Sequence, residues 1–297
     1  MLDTKINWLN PYKEKGPYTL KGNLHTHTMP ASPCGEVSKE EMIRQYENKH
    51  FDFLALTDHN TITLTEGLST NLVMFFGVEL DFFGTRHTAI IHTDPSLIFI
   101  NKQKKQQKII DENVTRGSLI ILNHPEWQQN EHYSLKTLLK LRRYNGIEIY
   151  NSVINRLTGS SIATTKWDRL LYSGRRVLGF SNHDSHTIED INESSIVVFS
   201  KGKTAEDIFH AIKSGCFYCS NGVTIEDIGR KNNTVYIRTA NAHLIRFIGA
   251  GGQVLKKVFS PSAEIDFKET DEYRYIRIEC LGVGEEISWS QAFFRDW

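Results

Sequence analysis

Gly22-Asn23-Leu24-His25-Thr26-His27-Thr28 is the stretch from which the rest of the chain is read. Two histidines stand one residue apart in what reads as a short strand after a glycine. In a strand the side chains at i and i+2 leave the same face, roughly 7 Å apart along the chain. Both imidazoles can therefore reach one metal ion. A lone His-x-His carries little weight, but the same residue chemistry recurs at the ends of further strands.

Working outward, Phe51 to Leu56 is a nearly continuous apolar run, as buried parallel strands are, and it ends at Thr57-Asp58-His59-Asn60. Leu72 to Val78 ends at Glu79, and Arg86 to His92 follows. Residues 80–86 are too few for a parallel crossover, which needs about a dozen, so the next strand is expected to return antiparallel with His87 near Glu79. Gly117 to Leu122 ends at Asn123-His124-Pro125, Gly146 to Tyr150 at Asn151, and Arg176 to Phe180 at Ser181-Asn182-His183-Asp184-Ser185-His186. Helices alternate with these strands. Ser38-Lys39-Glu40-Glu41 is a capping box opening a helix with an apolar stripe at Met42, Ile43 and Tyr46. A lysine-rich helix over 101–116 reads as a solvated face, Ser134 caps a leucine-striped helix, and a helix over Thr164 to Tyr172 stops at Gly174.

The expected organisation is an irregular lead-in over 1–17, a β/α hydrolase-type domain over 18–220, and a small all-β domain over 221–297. In the last, strands are expected at Val235 to Arg238, Leu244 to Ile248, Ala263 to Phe267, Tyr273 to Cys280 and Ile287 to Phe294, with no helix. At 39% hydrophobic and 24% charged residues the chain has an ordinary globular composition. Lys+Arg and Asp+Glu are 35 each, so no global basic field attracts nucleic-acid polymer or anionic membrane. Cys34, Cys216, Cys219 and Cys280 form no disulfide framework, and Cys216-x-x-Cys219 lacks the second pair of a zinc ribbon. No signal-peptide core or membrane span is read, and a cytoplasmic location is expected.

His25/His27, Asp58/His59, Glu79, His124 and Asp184/His186 thus stand at successive strand ends, and in β/α barrels that end forms the site. One strand-end histidine is ordinarily a satisfied hydrogen-bonding group; five strand ends with metal-type residues point to a shared rim. Imidazole with carboxylate suits zinc, manganese or iron, and a carboxylate such as Glu79 can bridge two ions. His50, His132, His210 and His243 fall outside the pattern as packing or surface residues, and His183 reads as a neighbour pointing away.

The motifs His25-Thr26-His27-Thr28, Leu56-Thr57-Asp58-His59-Asn60, Gly77-Val78-Glu79, Asn123-His124-Pro125 and Asp184-Ser185-His186 resemble, in order and spacing, those of the polymerase and histidinol phosphatase (PHP) family of metal-dependent phosphoesterases. The resemblance covers about residues 18–220. It implies a distorted seven-stranded β/α (TIM-like) barrel holding two or three divalent ions (Zn, Mn or Fe). Carried over by position, it implies a first metal on His25, His27, Glu79 and Asp184, and a second on Glu79, His124 and a fourth-strand histidine. A third would take His59, His186 and a residue from the loop after His27. The return-strand argument favours His87 over His92 as the fourth-strand ligand. The loop Met29 to Gly35 lacks the family's Asp or His; Cys34 is expected near the site, its ligation open. Asp58 is expected to orient its neighbour or a bound water, and Arg156, ahead of Arg86 and Lys166, to hold phosphate. The expected substrate is a small phosphate ester. A carbamate or amide hydrolase and a non-catalytic metal-binding regulatory module are the alternatives, and the oligomeric state is left open.

Overall fold

A computed structural model describes residues 8–82, 85–127, 132–267 and 273–295 of the chain. Within them the first part of the chain runs β1 (Trp8–Leu9), β2 (Tyr18–Asn23), α1 (Lys39–Asn48), β3 (Phe53–Leu56), β4 (Val73–Phe82), β5 (Thr85–His92), α2 (Gln106–Thr115), β6 (Leu119–Leu122), α3 (Leu135–Lys140), β7 (Gly146–Asn151), α4 (Thr164–Tyr172), β8 (Leu178–Asn182), β9 (Ser195–Ser200) and α5 (Ala205–Lys213). Strands follow: β10 (Phe217–Ser220), β11 (Ile225–Lys231), β12 (Thr234–Thr239), β13 (Leu244–Gly249), β14 (Gln253–Val258), β15 (Ser262–Asp266), β16 (Tyr275–Leu281), β17 (Ile287–Ser290) and β18 (Phe293–Arg295).

The continuous apolar strands are covered on both faces. β3 and β6 are buried at every position, as strands sandwiched between layers must be. α1 starts where the capping box places it, with Ser38 Oγ accepting from the Glu41 N–H, and it buries Met42, Ile43 and Tyr46. In sheet order β2, β3 and β4 are parallel, β5 is antiparallel to both β4 and β6, and β6, β7 and β8 are parallel. The short link after β4 forces the antiparallel return, because the chain there cannot carry a crossover helix.

The distorted seven-stranded β/α barrel that the resemblance implies is met only in part. β2 to β8 do form seven consecutive strands, but the sheet is not closed. The outer edge of β2 is taken by antiparallel β9 along Tyr18–Gly22, so β8 cannot ladder with it. The two edges meet only beyond the strand ends. There the Asp184 N–H donates to the His25 carbonyl (3.0 Å) and the His27 N–H to the Ser185 carbonyl (2.9 Å). Asn23 and Asn182 add reciprocal bonds, accepting from the His183 N–H (2.8 Å) and the Leu24 N–H (3.0 Å). The closure is thus a stitch at the C-terminal rim, and it draws the His25/His27 and Asp184/His186 motifs together.

From β9 the sheet continues through β10, β17, β16 and β18, with β13 and β14 attached to β16, while β11, β12 and β15 form a second sheet. Among the described residues no helix follows α5. The lead-in, expected to be irregular, instead places Trp8 and Leu9 against Arg295 and Phe294 as a strand. A buried ionic knot ties α4 to β16. Arg277 donates to Asp168 through Nε (2.7 Å) and Nη2 (2.6 Å) and to Glu279 through Nη1 (2.7 Å), and Tyr275 donates to Asp168 (2.8 Å). No helix among the described residues is long and apolar enough to cross a membrane.

Candidate metal centre

His25 and His27 emerge from β2 with no solvent exposure. Gly22, one turn of the pleat earlier, lets β2 lie against β3: a Cβ there would come within 2.1 Å of the Phe53 ring. At the far edge the backbone turns sharply at the strand ends, with left-handed φ at His124 (30°) and Asp184 (57°). Such φ values are unfavourable for residues with a Cβ and occur where surrounding structure imposes them. Here they swing both side chains toward the centre of the rim.

The expected ligands converge. His25 Nε2 and His27 Nε2 are 3.1 Å apart, and Asp184 Oδ1 lies 3.1 and 3.0 Å from them. Glu79 sits in the middle. Its Oε1 lies 3.2 Å from His25 Nε2, 3.4 Å from His87 Nδ1 and 3.2 Å from His124 Nε2. Its Oε2 faces His27 Nε2 at 3.4 Å and His59 Nδ1 at 3.3 Å. The two oxygens thus serve two different sets of imidazoles. Three groups, His25/His27/Asp184, His25/Glu79/His124 and His59/Glu79/His87, each place their ligand atoms within 4.8 Å of one another, as does His27/Cys34/His59.

The partners on the outer ring nitrogens decide which ring atoms face inward. His25 Nδ1 is 2.8 Å from Glu148 Oε1, which only accepts, so a proton sits on Nδ1 and Nε2 is the ring atom turned to the cluster. Ser32 Oγ donates to Asp58 (2.8 Å) and lies 3.1 Å from His27 Nδ1, so His27 donates to it and its Nε2 is likewise turned to the cluster. His186 Nδ1 donates to the Asp184 carbonyl (2.7 Å). The two Nε2 atoms, 3.1 Å apart, face each other and the Asp184 and Glu79 oxygens, and a cation among them satisfies nitrogens and carboxylates together. His59 Nδ1 is moreover buried without a hydrogen-bond partner. The donor set therefore fits divalent ions.

Electrostatics agree. Glu79, Glu148 and Asp184 are buried carboxylates, and buried charge requires a counter-charge. Burial pushes Glu79 up, but His87 and His25 outweigh it and hold it well below the usual carboxylate range. Burial likewise opposes ionisation of Asp184, and His25 and His27 hold it well below its usual value. Burial disfavours the charged form of His25, yet Asp184, Glu148 and Glu79 keep its pKa well above the ordinary imidazole value: the carboxylates demand positive charge at this ring, as a proton on Nε2 or a metal ion in its place. Burial lowers His59 to about 4.

Other expected residues stand differently. Asp58 faces away from the cluster: it accepts from the Thr28 N–H (2.6 Å), the Thr28 hydroxyl (2.8 Å), Ser32 and the Thr63 hydroxyl. Ser32 in turn accepts from the His59 N–H (2.8 Å). Asp58, expected among the catalytic groups, is therefore a positioning residue for His27 and His59. Arg156 lines the cavity in front of the cluster, but its Nε and Nη2 grip Asp190 at 2.7 and 2.8 Å. Lys166, offered as a phosphate holder, is buried against the Pro125 carbonyl (2.8 Å) and Glu126 (2.9 Å) and does not line that cavity. Nor does Arg86, whose backbone takes a left-handed φ of 58° at the start of β5. His87 joins the cluster, whereas His92 pairs opposite Phe76 and accepts from the Asp94 N–H (2.9 Å). His183 points away, 2.8 Å from the Tyr46 hydroxyl. Cys34 is on the rim, its thiol pushed up to about 11 by partial burial and by Asp184 and Glu79.

Two contributors were missed. Glu148, in the middle of β7, accepts from His25, from the His124 N–H (2.7 Å), and from the Asn182 and Asn151 amides (both 2.9 Å). His132, set aside as an ordinary packing residue, is buried beside His87 and His124 with ring centroids 4.9 and 4.8 Å away, and its Nε2 accepts from the His87 N–H (3.0 Å). The cavity in front of the cluster measures about 320 Å³ and is walled on its apolar side by Trp127, Val153, Ile154 and Leu157.

No family model and no curated protein matches the chain. Solved structures do. A two-domain protein from Bacteroides vulgatus containing a predicted PHP-like metal-dependent phosphoesterase is similar over 99% of this chain and 90% of its own, at 15% identity and a TM-score of 0.52. PsfC from Pseudomonas syringae is similar over 66% of this chain and 88% of its own, at 14% identity and a TM-score of 0.49. The lesion-specific endonuclease PfuEndoQ from Pyrococcus furiosus is similar over 66% of this chain and 56% of its own, at 15% identity and a TM-score of 0.49. The fold is PHP-like.

Proposed function

We propose that the chain is a metal-dependent hydrolase that cleaves a small phosphate ester at a centre of two or three divalent ions. The observation that carries this reading is Glu79, whose two oxygens face separate imidazole sets on one rim. In the proposed ligand scheme His25, His27, Glu79 and Asp184 hold one ion. Glu79, His87 and His124 hold a second, and His59 and His186, with Cys34 beside them on the cavity wall, surround the third position. Bound divalent ions (Zn, Mn or Fe) supply Lewis acidity toward phosphate oxygens and make water nucleophilic near neutral pH.

The chain's own residues prepare that chemistry. Glu148 and the Asp58–Ser32 pair fix the His25 and His27 rings with Nε2 inward. The Arg156–Asp190 clasp sets a guanidinium at the cavity mouth, where it can meet a phosphate dianion. Asp190 also accepts from the His186 and Thr187 N–H groups (2.9 and 3.0 Å), so the clasp anchors the His186 loop. Trp127, Val153, Ile154 and Leu157 offer an apolar wall to the leaving group and exclude water. A cavity of about 320 Å³ suits a small molecule better than a polymer. With this reading go a hydrolase unit over 18–220, an all-β unit over 221–297 and action in the cytoplasm.

The test is hydrolysis of p-nitrophenyl phosphate and a panel of phosphoesters by the full chain reconstituted with Zn, Mn or Fe. Turnover that is lost in His25→Ala and Asp184→Ala, with the fold retained, supports the reading. Bound metal with turnover only of amides or carbamates, or with no turnover at all, overturns it.

A further inference from the structure

The sheet has an open seam where β2 and β8 come together, and the first ion position straddles it. His25 and His27 leave the β2 side and Asp184 the β8 side. How far apart the two sides stand therefore sets how well these ligand atoms share one cation. Side chains alternate between faces along extended backbone. His25, His27, Asp184 and His186 face the centre, whereas Thr26, His183 and Ser185 turn the other way, to Tyr46. Thr26 and Ser185 are themselves bridge partners across the seam.

Tyr46 closes that reverse face. It ends the apolar stripe of α1 and has no solvent exposure. On the β2 side its hydroxyl lies 3.2 Å from the Thr26 hydroxyl and 3.0 Å from the Asn23 amide. On the β8 side it lies 2.8 Å from His183 Nδ1 and 3.0 Å from the Ser185 hydroxyl. His183 Nε2 is 3.1 Å from the Asn192 carbonyl, which only accepts, so Nε2 carries the N–H of the neutral ring. Tyr46 accordingly donates to His183 Nδ1, and its oxygen is left to accept from the β2 side. Asn23 extends the bracket to the ligand backbone. Its amide nitrogen donates to the His25 carbonyl and its oxygen accepts from the His183 N–H, both at 2.8 Å. One phenol oxygen on a rigid, packed ring thus bonds both sides at once.

We infer that Tyr46 is a positioning residue of the metal centre: its hydroxyl clamps the β2 and β8 sides from behind and fixes the gap across which His25, His27 and Asp184 share the first ion. The inference rests on the ligand scheme proposed above and is independent of the substrate.

The experiment measures zinc affinity of the full chain by competition with a chromophoric chelator, and unfolding of the metal-free chain by denaturant, in wild type, Tyr46→Phe and Tyr12→Phe. Tyr12 is the comparison: another buried hydroxyl, donating to the Phe217 carbonyl (3.1 Å) in β10 and accepting from the Gln291 N–H (2.8 Å) just after β17. Both variants lose stability, because each leaves buried partners unpaired. In Tyr46→Phe the Kd of the tightest zinc site is expected to rise about tenfold, the low end for outer partners of metal ligands. In Tyr12→Phe it stays at the wild-type value. Unchanged zinc affinity in folded Tyr46→Phe, or an equal loss in Tyr12→Phe, overturns the inference and leaves the metal centre in place. Should Tyr46→Phe fail to fold, Ser185→Ala decides, since it removes one bond of the clamp: a severalfold weaker zinc site supports the inference and an unchanged one overturns it. The expected loss in Tyr46→Phe supports the clamp whether or not any phosphoester is turned over, whereas a wild-type chain that binds no zinc overturns the clamp together with the ligand scheme.

Discussion

Glu148→Gln tests how the metal centre is held. The carboxylate accepts two donors on each oxygen: His25 Nδ1 and the Asn182 amide on Oε1, the His124 N–H and the Asn151 amide on Oε2. Glutamine keeps the shape but turns one oxygen into a donor, so one pair must face an N–H with an N–H. If the amide nitrogen takes the Oε2 place, the buried His124 N–H loses its acceptor, at a cost of about 1–3 kcal/mol. If it takes the Oε1 place, His25 loses the acceptor that keeps its proton on Nδ1, and the proton is free to occupy the metal-facing Nε2. Either outcome disturbs a ligand without removing one. Loss of such a supporting partner lowers metal affinity roughly 10–100-fold, which is about 1.4–2.8 kcal/mol. Competition with a chromophoric zinc chelator reads the affinity, and circular dichroism checks the fold. Unchanged zinc affinity in a folded Glu148→Gln chain would refute the argument that Glu148 sets the His25 tautomer.

Asp168→Asn should destabilise the chain by about 3–5 kcal/mol, because Arg277 stays buried with half of its counter-charge removed; denaturant unfolding measures it, and a loss under about 1 kcal/mol counts against the knot. Ser32→Ala removes the oxygen that accepts from His27 Nδ1 and the His59 N–H, and a severalfold weaker metal affinity with little change in stability is expected from chelator competition. His183 gives a pH dependence. Burial lowers its pKa to about 3, whereas in the unfolded chain it titrates near 6.5. The unfolded state therefore binds the extra proton first, so this contribution is complete above the ordinary imidazole range and is lost as pH falls from there toward about 3. His183→Gln should flatten the fall in unfolding free energy between pH 7 and 5; an identical slope in both chains would contradict it.

Much of the rim was legible because metal chemistry selects residue types that strand ends rarely need. His25, His27, Glu79, His124 and Asp184 could be ordered by position before any geometry was known, and the short link after Glu79 argued for His87. What stayed hidden depends on partners far along the chain. Asp58 reads in the sequence as a group that orients its neighbour or a bound water, but the partners its oxygens take, Thr28, Ser32 and Thr63, are set by how the loops fold. Asp190 stands 34 residues from Arg156, and nothing local marks the pairing. Glu148 had a weak signal: a carboxylate between two isoleucines in a strand buried throughout needs compensating donors. The open sheet was not legible either, since it follows from β9 occupying an edge of β2. β1, β11 and β14 are short or half-exposed edges whose apolar pattern is too thin to stand out.

The central claim is that these imidazoles and carboxylates grip cations. The direct measurement is inductively coupled plasma mass spectrometry on the purified full chain after metal loading and desalting, beside His25→Ala and Asp184→Ala. The account predicts about two or three divalent ions per wild-type chain and a clear loss in each variant with the fold intact. A wild-type chain that retains well under one ion, or variants that retain as many as the wild type, would contradict it.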